Sequence, residues 1–355
     1  MSIPLAKPSY TQEMEDAAIN AMRNEKWCLG ESVFKFEEEF AKYCGVKYAV
    51  AVSSGTDALT LALISMGVKK SDNIMTSPNS FIASANAIVH SGATPVFSDI
   101  RAETGNIDPD KISAKNLRGI IPVHIYGNMC DMDKIMALKE NGMFVIEDAC
   151  QAHGADYKGK KAGSIGDLGC FSFYPSKNMT VYGDGGMITS NNEEIIEYLK
   201  SLRDCGRVSR YEHDKFGFTS RMNTINAAIG RVQLKYLDEW NQKRRAAAKI
   251  YQKLLPEEIL LKPENGSNPI YHMFVIKSDK RDDIIKNLDK NNIGNGIHYP
   301  IPIHLQPIYK KTFGFKDGLF PVTEKFSKQI MSLPMYPEIT EDQIKMVVEK
   351  VLEVL

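Results

Sequence analysis

The feature that most constrains this chain is an alternation running through its first 190 residues. Short apolar runs rich in Val, Ile and Phe recur as YAVAV (48–52), NIMTS (73–77), TPVFSDI (94–100), GIIPVHI (119–125), MFVIED (143–148), CFSFY (170–174) and GMITS (186–190). Between the earlier runs lie TDALTLALISMG, SANAIVHSG and DMDKIMALKENG, whose apolar residues return every three or four positions. The runs read as strands and the intervening segments as helices, which predicts an α/β domain with a mostly parallel seven-stranded sheet covered on both faces. No helical segment separates the last two runs, so that part of the sheet is expected to be antiparallel or to cross back. Sheets of this kind take ligands beyond the C-terminal ends of their strands. The loops to inspect are therefore SSGTDA, PNSF, VHIYGN, EDACQAHG and YPSKNM.

Beyond residue 220 the pattern changes. NTINAAIGRVQLKYLDEWNQKRRAAAKIYQKLL has one apolar stripe and basic last turns, as a long helix joining two domains would. A smaller α+β set follows: strand YHMFVIKS, helix RDDIIKNLDKNN, strand GIHYP, the Pro-rich loop IPIHLQPIY and a last helix beginning near Thr340. The expected division is a large domain over 1–235, with an N-terminal helical segment, and a small domain over 236–355. A chain of 355 residues suits two domains at about 100–200 residues each.

Composition narrows the class. With 44 basic and 44 acidic residues the formal charge is zero and there is no basic cluster, which argues against nucleic acid. No stretch approaches the roughly 18 apolar residues of a membrane span, and the N-terminus lacks the apolar core of a secretion signal, so a cytoplasmic protein is expected. The six cysteines, at 28, 44, 130, 150, 170 and 205, form no CxxC pair and have no histidine at ligand spacing. They are expected to be reduced, without a metal site.

Three loops carry chemistry. SSGTDALTLAL enters a helix directly from a strand, leaving backbone N–H groups around Gly55 and Thr56 at the positive end of the helix dipole. This is an anion cradle or simply an N-cap serving its own helix. VIEDACQAHGA ends a buried strand in Glu147 and Asp148, and a buried carboxylate needs a cationic partner: a protonated heterocycle, or an ordinary Lys or Arg. Gln151 stands three residues on. FSFYPSKNMTVYGDGG sets Lys177 between aromatics and glycines, where an amine can be partly desolvated and made nucleophilic; the alternative is a surface lysine. An anion cradle, a buried acid, an aromatic face and a lysine are together what pyridoxal phosphate requires. Phe81 is then a lid over the ring, or a core residue, and Ser172 a further phosphate hydroxyl.

The ordered series GVKYAVAVSSGTDAL, SPNSFIASANAI, GATPVFSDI, IPVHIYG, VIEDACQAHGA, FSFYPSKNMTVYGDGG, SRMNTINAAIGRVQL and HYPIPIHLQPIY resembles the DegT/DnrJ/EryC1/StrS family of sugar aminotransferases over nearly the whole chain. The resemblance implies fold type I of pyridoxal phosphate enzymes, the aspartate aminotransferase architecture, and a homodimer with active sites at the interface. Residue by residue it implies that Lys177 bonds the cofactor, Asp148 pairs with the pyridine nitrogen and Gln151 lies beside the ring hydroxyl. It places Gly55, Thr56 and Ser172 at the phosphate and Phe81 on the ring. In the stretch GFTSR, Thr219 stands where the family usually has an asparagine that reaches the phosphate across the interface.

The implied reaction is a two-stage transfer from L-glutamate, released as 2-oxoglutarate, to the ketone of a nucleotide-linked sugar. GDGG after the lysine and HYPIPIHLQP look more like members acting on 3-keto sugars than those acting on 4-keto sugars. His298, Tyr299, His304 and Gln306 are expected on the sugar side. Relatives that have become dehydratases replace the lysine, which this chain keeps. A non-catalytic binding role would give no reason for Asp148, Gln151 and Lys177 to stand together.

Overall fold

The computed structural model describes residues 2–139 and 142–355. Two helices, α1 (Gln12–Asn24) and α2 (Glu31–Cys44), precede the sheet. The alternation then appears as β1 (Tyr48–Val52), α3 (Gly55–Ser65), β2 (Asn73–Thr76), α4 (Ala83–His90), β3 (Thr94–Phe97), β4 (Leu117–Ile121), α5 (Met132–Ala137) and β5 (Phe144–Asp148). After a small hairpin of β6 (Asp156–Tyr157) and β7 (Lys160–Lys161), the chain re-enters the sheet as β8 (Leu168–Ser172) and β9 (Gly186–Ser190).

All seven apolar runs thus become strands of one sheet, in the order β1-β9-β8-β5-β4-β2-β3. Strand β9 runs antiparallel to both β1 and β8, and every other pairing is parallel. Strand β9 follows β8 directly, with no other element between them, as an antiparallel neighbour can because it needs no long crossover.

Side-chain alternation explains why the runs are apolar throughout. In β1, Ala49 and Ala51 face one core with Phe36 and Phe40 of α2, while Val50 and Val52 face the other with Leu59 and Leu63 of α3. The same split recurs in β8, where Phe171 joins the first core and Leu168 and Cys170 the second. Both faces are covered, so both phases of the period-two pattern must be apolar. Helix α6 (Glu193–Leu202) closes the second core through Ile196, Leu199 and Leu202.

The long connecting helix is α7 (Thr224–Leu254), whose 31 residues give a length of about 46 Å. Its first half packs against α1 and α2, and its last turns contribute Ala247, Ala248 and Tyr251 to a separate core. That core is built by β11 (Phe274–Lys277), α8 (Arg281–Lys290), β12 (Ile330–Leu333) and α11 (Glu341–Leu352), with β11 and β12 antiparallel. The strand β10 (Ser267–Asn268) pairs with β6, and α9 (Pro307–Phe313) and α10 (Pro321–Gln329) lie between α8 and β12. Thr340 and Gln343 form a reciprocal cap on α11, which is why that helix starts where the sequence signal put it.

One expected element is absent. GIHYP does not form a strand: only Gly296 pairs, in a single bridge to Ser332. His298 spends its Nδ1 on Ser332 Oγ (2.9 Å) and Pro300 has no N–H to give a ladder, so the chain leaves the sheet edge and delivers Tyr299 to Gln151 instead. Among the described residues no helix is long and apolar enough to cross a membrane, no acidic, His or Cys cluster could hold a metal, and all six cysteines are free.

Candidate active site

A cavity of about 430 Å³ opens where β1, β5 and β8 end. Its first wall is the turn from β1 into α3. Ser54 does cap the helix, its Oγ accepting from Asp57 N at 3.1 Å. Yet Gly55 and Thr56, in the first helical turn, have N–H groups with no intrahelical acceptor, and neither donates elsewhere in the backbone network. Cap and cradle coexist, because the cap satisfies only the third donor. Gly55 is required by packing: a Cβ there would lie 2.6 Å from Ser172 Cβ and 3.1 Å from Cys150 Sγ.

Strand β5 separates the acid pair. Glu147 points to the first core, fully buried, and meets His124 Nε2 at 2.9 Å. It also accepts the N–H groups of Gly163, Ile165 and Gly166 at 2.7–2.9 Å. Burial pushes its pKa up, but the histidine and these donors outweigh that and hold it below the ordinary carboxylate range. Asp148 points to the cavity, 4% exposed. Its partners are Ser84 Oγ at 2.7 Å and Cys150 N at 3.2 Å, with Ser80 Oγ 2.7 Å behind Ser84. Among the described residues no Lys or Arg pairs with Asp148, so the ordinary salt bridge considered from sequence is not formed.

Gln151 is held from both ends of its amide: Oε1 accepts from Tyr126 N (2.7 Å) and Nε2 donates to Tyr299 Oη (3.3 Å). Lys177 follows β8 in a turn closed by its own N–H to Tyr174 O (2.8 Å). Its side chain lines the cavity and is not a surface lysine; burial lowers its pKa, while nearby Cys150 and Asp148 act in the opposite sense. Phe81 is 53% exposed and belongs to the cavity wall, tilted against Tyr299 with ring centroids 5.8 Å apart. It is not a core residue. Ser172, at the end of β8, completes the wall beside Gly55.

Of the four residues expected on the sugar side, two are brought here. His298 and Tyr299 line the cavity; burial lowers the His298 pKa to about 4 and raises that of Tyr299. His304 and Gln306 do not line it. The tight turn Ile303–Leu305 after Pro302 turns His304 into a separate apolar cluster, where Nε2 meets Glu324 (3.1 Å) and the ring lies edge-on to Phe320. Gln306 leads into α9 and donates to Ile301 O at 3.4 Å. Thr219 is exposed on a loop away from this cavity, 3.3 Å from Cys205 Sγ.

Sequence reasoning passed over Ser80, Ser84, Cys150, Tyr174 and His272, all in the wall. For Ser84 a signal existed, since a serine in the first turn of the helix after PNSF lies beside the strand ends. For His272 there was none, because its chain segment is nearly one hundred positions from Lys177.

Comparison with known proteins identifies the family. The model of the DegT/DnrJ/EryC1/StrS aminotransferase family matches residues 8–352. A pleiotropic regulatory protein of Geobacillus stearothermophilus is 40% identical, covering 98% of this chain and 94% of its own. A dTDP-3-amino-3,6-dideoxy-alpha-D-galactopyranose transaminase of Aneurinibacillus thermoaerophilus is 38% identical, covering 96% and 95%. The crystal structure of S. venezuelae DesV in complex with a ketimine intermediate superposes with a TM-score of 0.92 at 35% identity, covering 96% of this chain and 94% of that one.

Proposed function

Because the chain belongs to the DegT/DnrJ/EryC1/StrS aminotransferase family, it is an aminotransferase that works with pyridoxal phosphate on sugar substrates, and we propose that it carries the amino group of L-glutamate to C3 of a nucleotide-linked 3-keto deoxysugar. The observation that carries this reading is one cavity wall holding, among the described residues, a buried carboxylate with no basic partner, a buried lysine and two free helix-terminal N–H groups.

The residues fit the cofactor part by part. The N–H groups of Gly55 and Thr56, with the Ser172 hydroxyl, would hold the phosphate dianion. Asp148, with no Lys or Arg paired to it among the described residues, would keep a pyridinium nitrogen protonated, and Gln151 would lie beside the ring hydroxyl. Phe81 would cover one ring face with its open side. Lys177 is the anchoring amine; once released it would take the substrate's α-proton and return it at the neighbouring centre, and burial, by lowering its pKa, favours the uncharged form that such a transfer needs. The cofactor, when bound, supplies the electron sink for that proton transfer.

His298 and Tyr299 face the sugar. C3 is favoured by the GDGG and HYPIPIHLQP stretches and by the name of the Aneurinibacillus relative. The working unit is a homodimer: the loop carrying Thr219 exposes Tyr211, Phe216 and Phe218, an apolar edge suited to a second copy, and Thr219, whose hydroxyl can donate but reaches less far than the usual asparagine, stands at the position that faces that copy's phosphate site. We place the enzyme in the cytoplasm. The regulatory name of the Geobacillus relative does not alter the chemistry of this wall.

The test is the visible absorbance of purified protein given pyridoxal phosphate, then glutamate, then a panel of 3-keto and 4-keto nucleotide sugars. A band that bleaches with glutamate and returns with a 3-keto sugar establishes the reading. Return only with a 4-keto sugar moves the amination to C4, and absence of any band defeats the cofactor assignment.

A further inference from the structure

One buried acceptor in the cavity wall has no part in the reading above. His272 is 4% exposed, lines the cavity with Lys177, and its Nε2 has no hydrogen-bond partner among the described residues. Its tautomer follows from backbone carbonyls, which can only accept. Asn241, on α7, donates through Nδ2 to the His153 carbonyl at 2.8 Å, so its Oδ1 faces Asn178 and accepts from Nδ2 there at 2.9 Å. Asn178 Nδ2 also reaches the Ile270 carbonyl at 3.4 Å. The Asn178 oxygen is therefore the atom 3.1 Å from His272 Nδ1, and the ring must supply the proton between them. Burial, and then the Lys177 charge, push the His272 pKa well below its ordinary value, so the ring is neutral. A neutral ring protonated at Nδ1 presents Nε2 as a bare lone pair.

The candidate donor is Lys177, which shares the cavity wall with His272 and whose charge is the second cause, after burial, of the lowered His272 pKa. Asp148 is engaged by Ser84 and Cys150 N, and Gln151 by Tyr126 N and Tyr299. The Lys177 ammonium or amine, a donor, has no side-chain partner among the described residues. Asn178, which locks His272, is the next residue in the chain, so the histidine is fixed to the same segment as the amine.

Resting on the proposed function, we propose that His272 is a positioning residue for Lys177: its Nε2 accepts a hydrogen bond from the Lys177 amine while that amine is free of the cofactor, aiming the amine's own lone pair at the carbon whose proton it moves. A neutral acceptor suits this task. A carboxylate at the same place would favour the ammonium form, which cannot take a proton.

Two measurements test it. In the full chain without cofactor, long-range 1H–15N correlation of labelled histidines shows His272 protonated at Nδ1, a pattern lost in Asn178→Leu; protonation at Nε2 overturns the proposal without any variant. In the holoenzyme, single-turnover reaction with glutamate slows about 10- to 100-fold in His272→Phe, the loss expected for one hydrogen bond to a buried polar group. Cofactor affinity is unchanged there, and His272→Gln, which keeps an acceptor oxygen, regains most of the rate. An undiminished rate in His272→Phe overturns the proposal. Failure of the wild-type band to respond to glutamate counts against the proposed function instead, and the tautomer measurement does not depend on it.

Discussion

Ser84 Oγ lies 2.7 Å from Asp148 Oδ2, and Ser80 Oγ lies 2.7 Å behind Ser84. The side chain of a buried carboxylate in the cavity wall is thus held by a relay of two hydroxyls from the turn that also carries Phe81. Removing the first hydroxyl leaves Asp148 with only the Cys150 N–H. Ser84→Ala is expected to lower stability by about 1.5–3 kcal/mol, the cost of a lost hydrogen bond to a charged group. Urea unfolding of the variant measures this; a midpoint equal to wild type means that the relay is incidental.

Asp148→Asn keeps the shape of the side chain but removes its charge. Electrostatic groups of this kind contribute about 100- to 1000-fold to a catalysed step, so single turnover with glutamate is expected to slow by that order while the fold survives. Near-normal rates would mean that Asp148 is not the acid facing the ring nitrogen.

Gly55→Ala places a methyl group 2.6 Å from Ser172 Cβ. Overpacking of this sort costs about 1–3 kcal/mol, and here the strain falls on the two segments that form the phosphate cradle. Titration with pyridoxal phosphate is expected to show affinity at least tenfold weaker, in the same range as that strain. An unchanged affinity would remove Gly55 from the cradle.

His153 is fully buried between Phe171 and Phe173, with ring centroids 5.4 and 5.6 Å away. Burial lowers its pKa to about 3, from 6.5. The unfolded chain therefore binds a proton below pH 6.5 that the folded chain refuses. The stability linked to this group is complete above pH 6.5 and is lost as pH falls toward 3, by at most about 1.4 kcal/mol per pH unit. His272 and His298 are shifted in the same direction, so urea midpoints should fall steeply between pH 6.5 and 4.5. In His153→Gln the decline should be shallower; an identical slope would show that His153 is not the group being titrated.

Much of this molecule is legible in its sequence. Each apolar run became a strand because a strand buried on both faces has to be apolar at every position, a local signal that survives without knowledge of its neighbours. The missing helix between CFSFY and GMITS left an antiparallel strand or a cross-back as the alternatives, and β9 is the former. Lys177, Asp148, Gln151 and Gly55 were readable because strand ends in such a sheet converge on one place, so motifs far apart in the chain share a fixed destination. GIHYP looked like a strand because its composition is strand-like; the absent N–H of Pro300 and the Ser332 contact of His298 decided otherwise.

What the sequence by itself determined was the sheet, its strand ends and the residues placed there, because these follow from periodicity and from short loops of defined chemistry. Only the tertiary structure decided which polar groups face each other. Nothing local could show that Glu147 turns to His124 while Asp148 turns to Ser84, or that His304 is buried against Phe320 while His298 enters the cavity. The lock from the His153 carbonyl through Asn241 and Asn178 to His272 joins four segments by hydrogen bonds whose donors and acceptors are assigned only when all four are in place. Hydrogen-bond direction is a property of the assembled network, and so the state of the histidine beside Lys177 is one that the fold alone supplies.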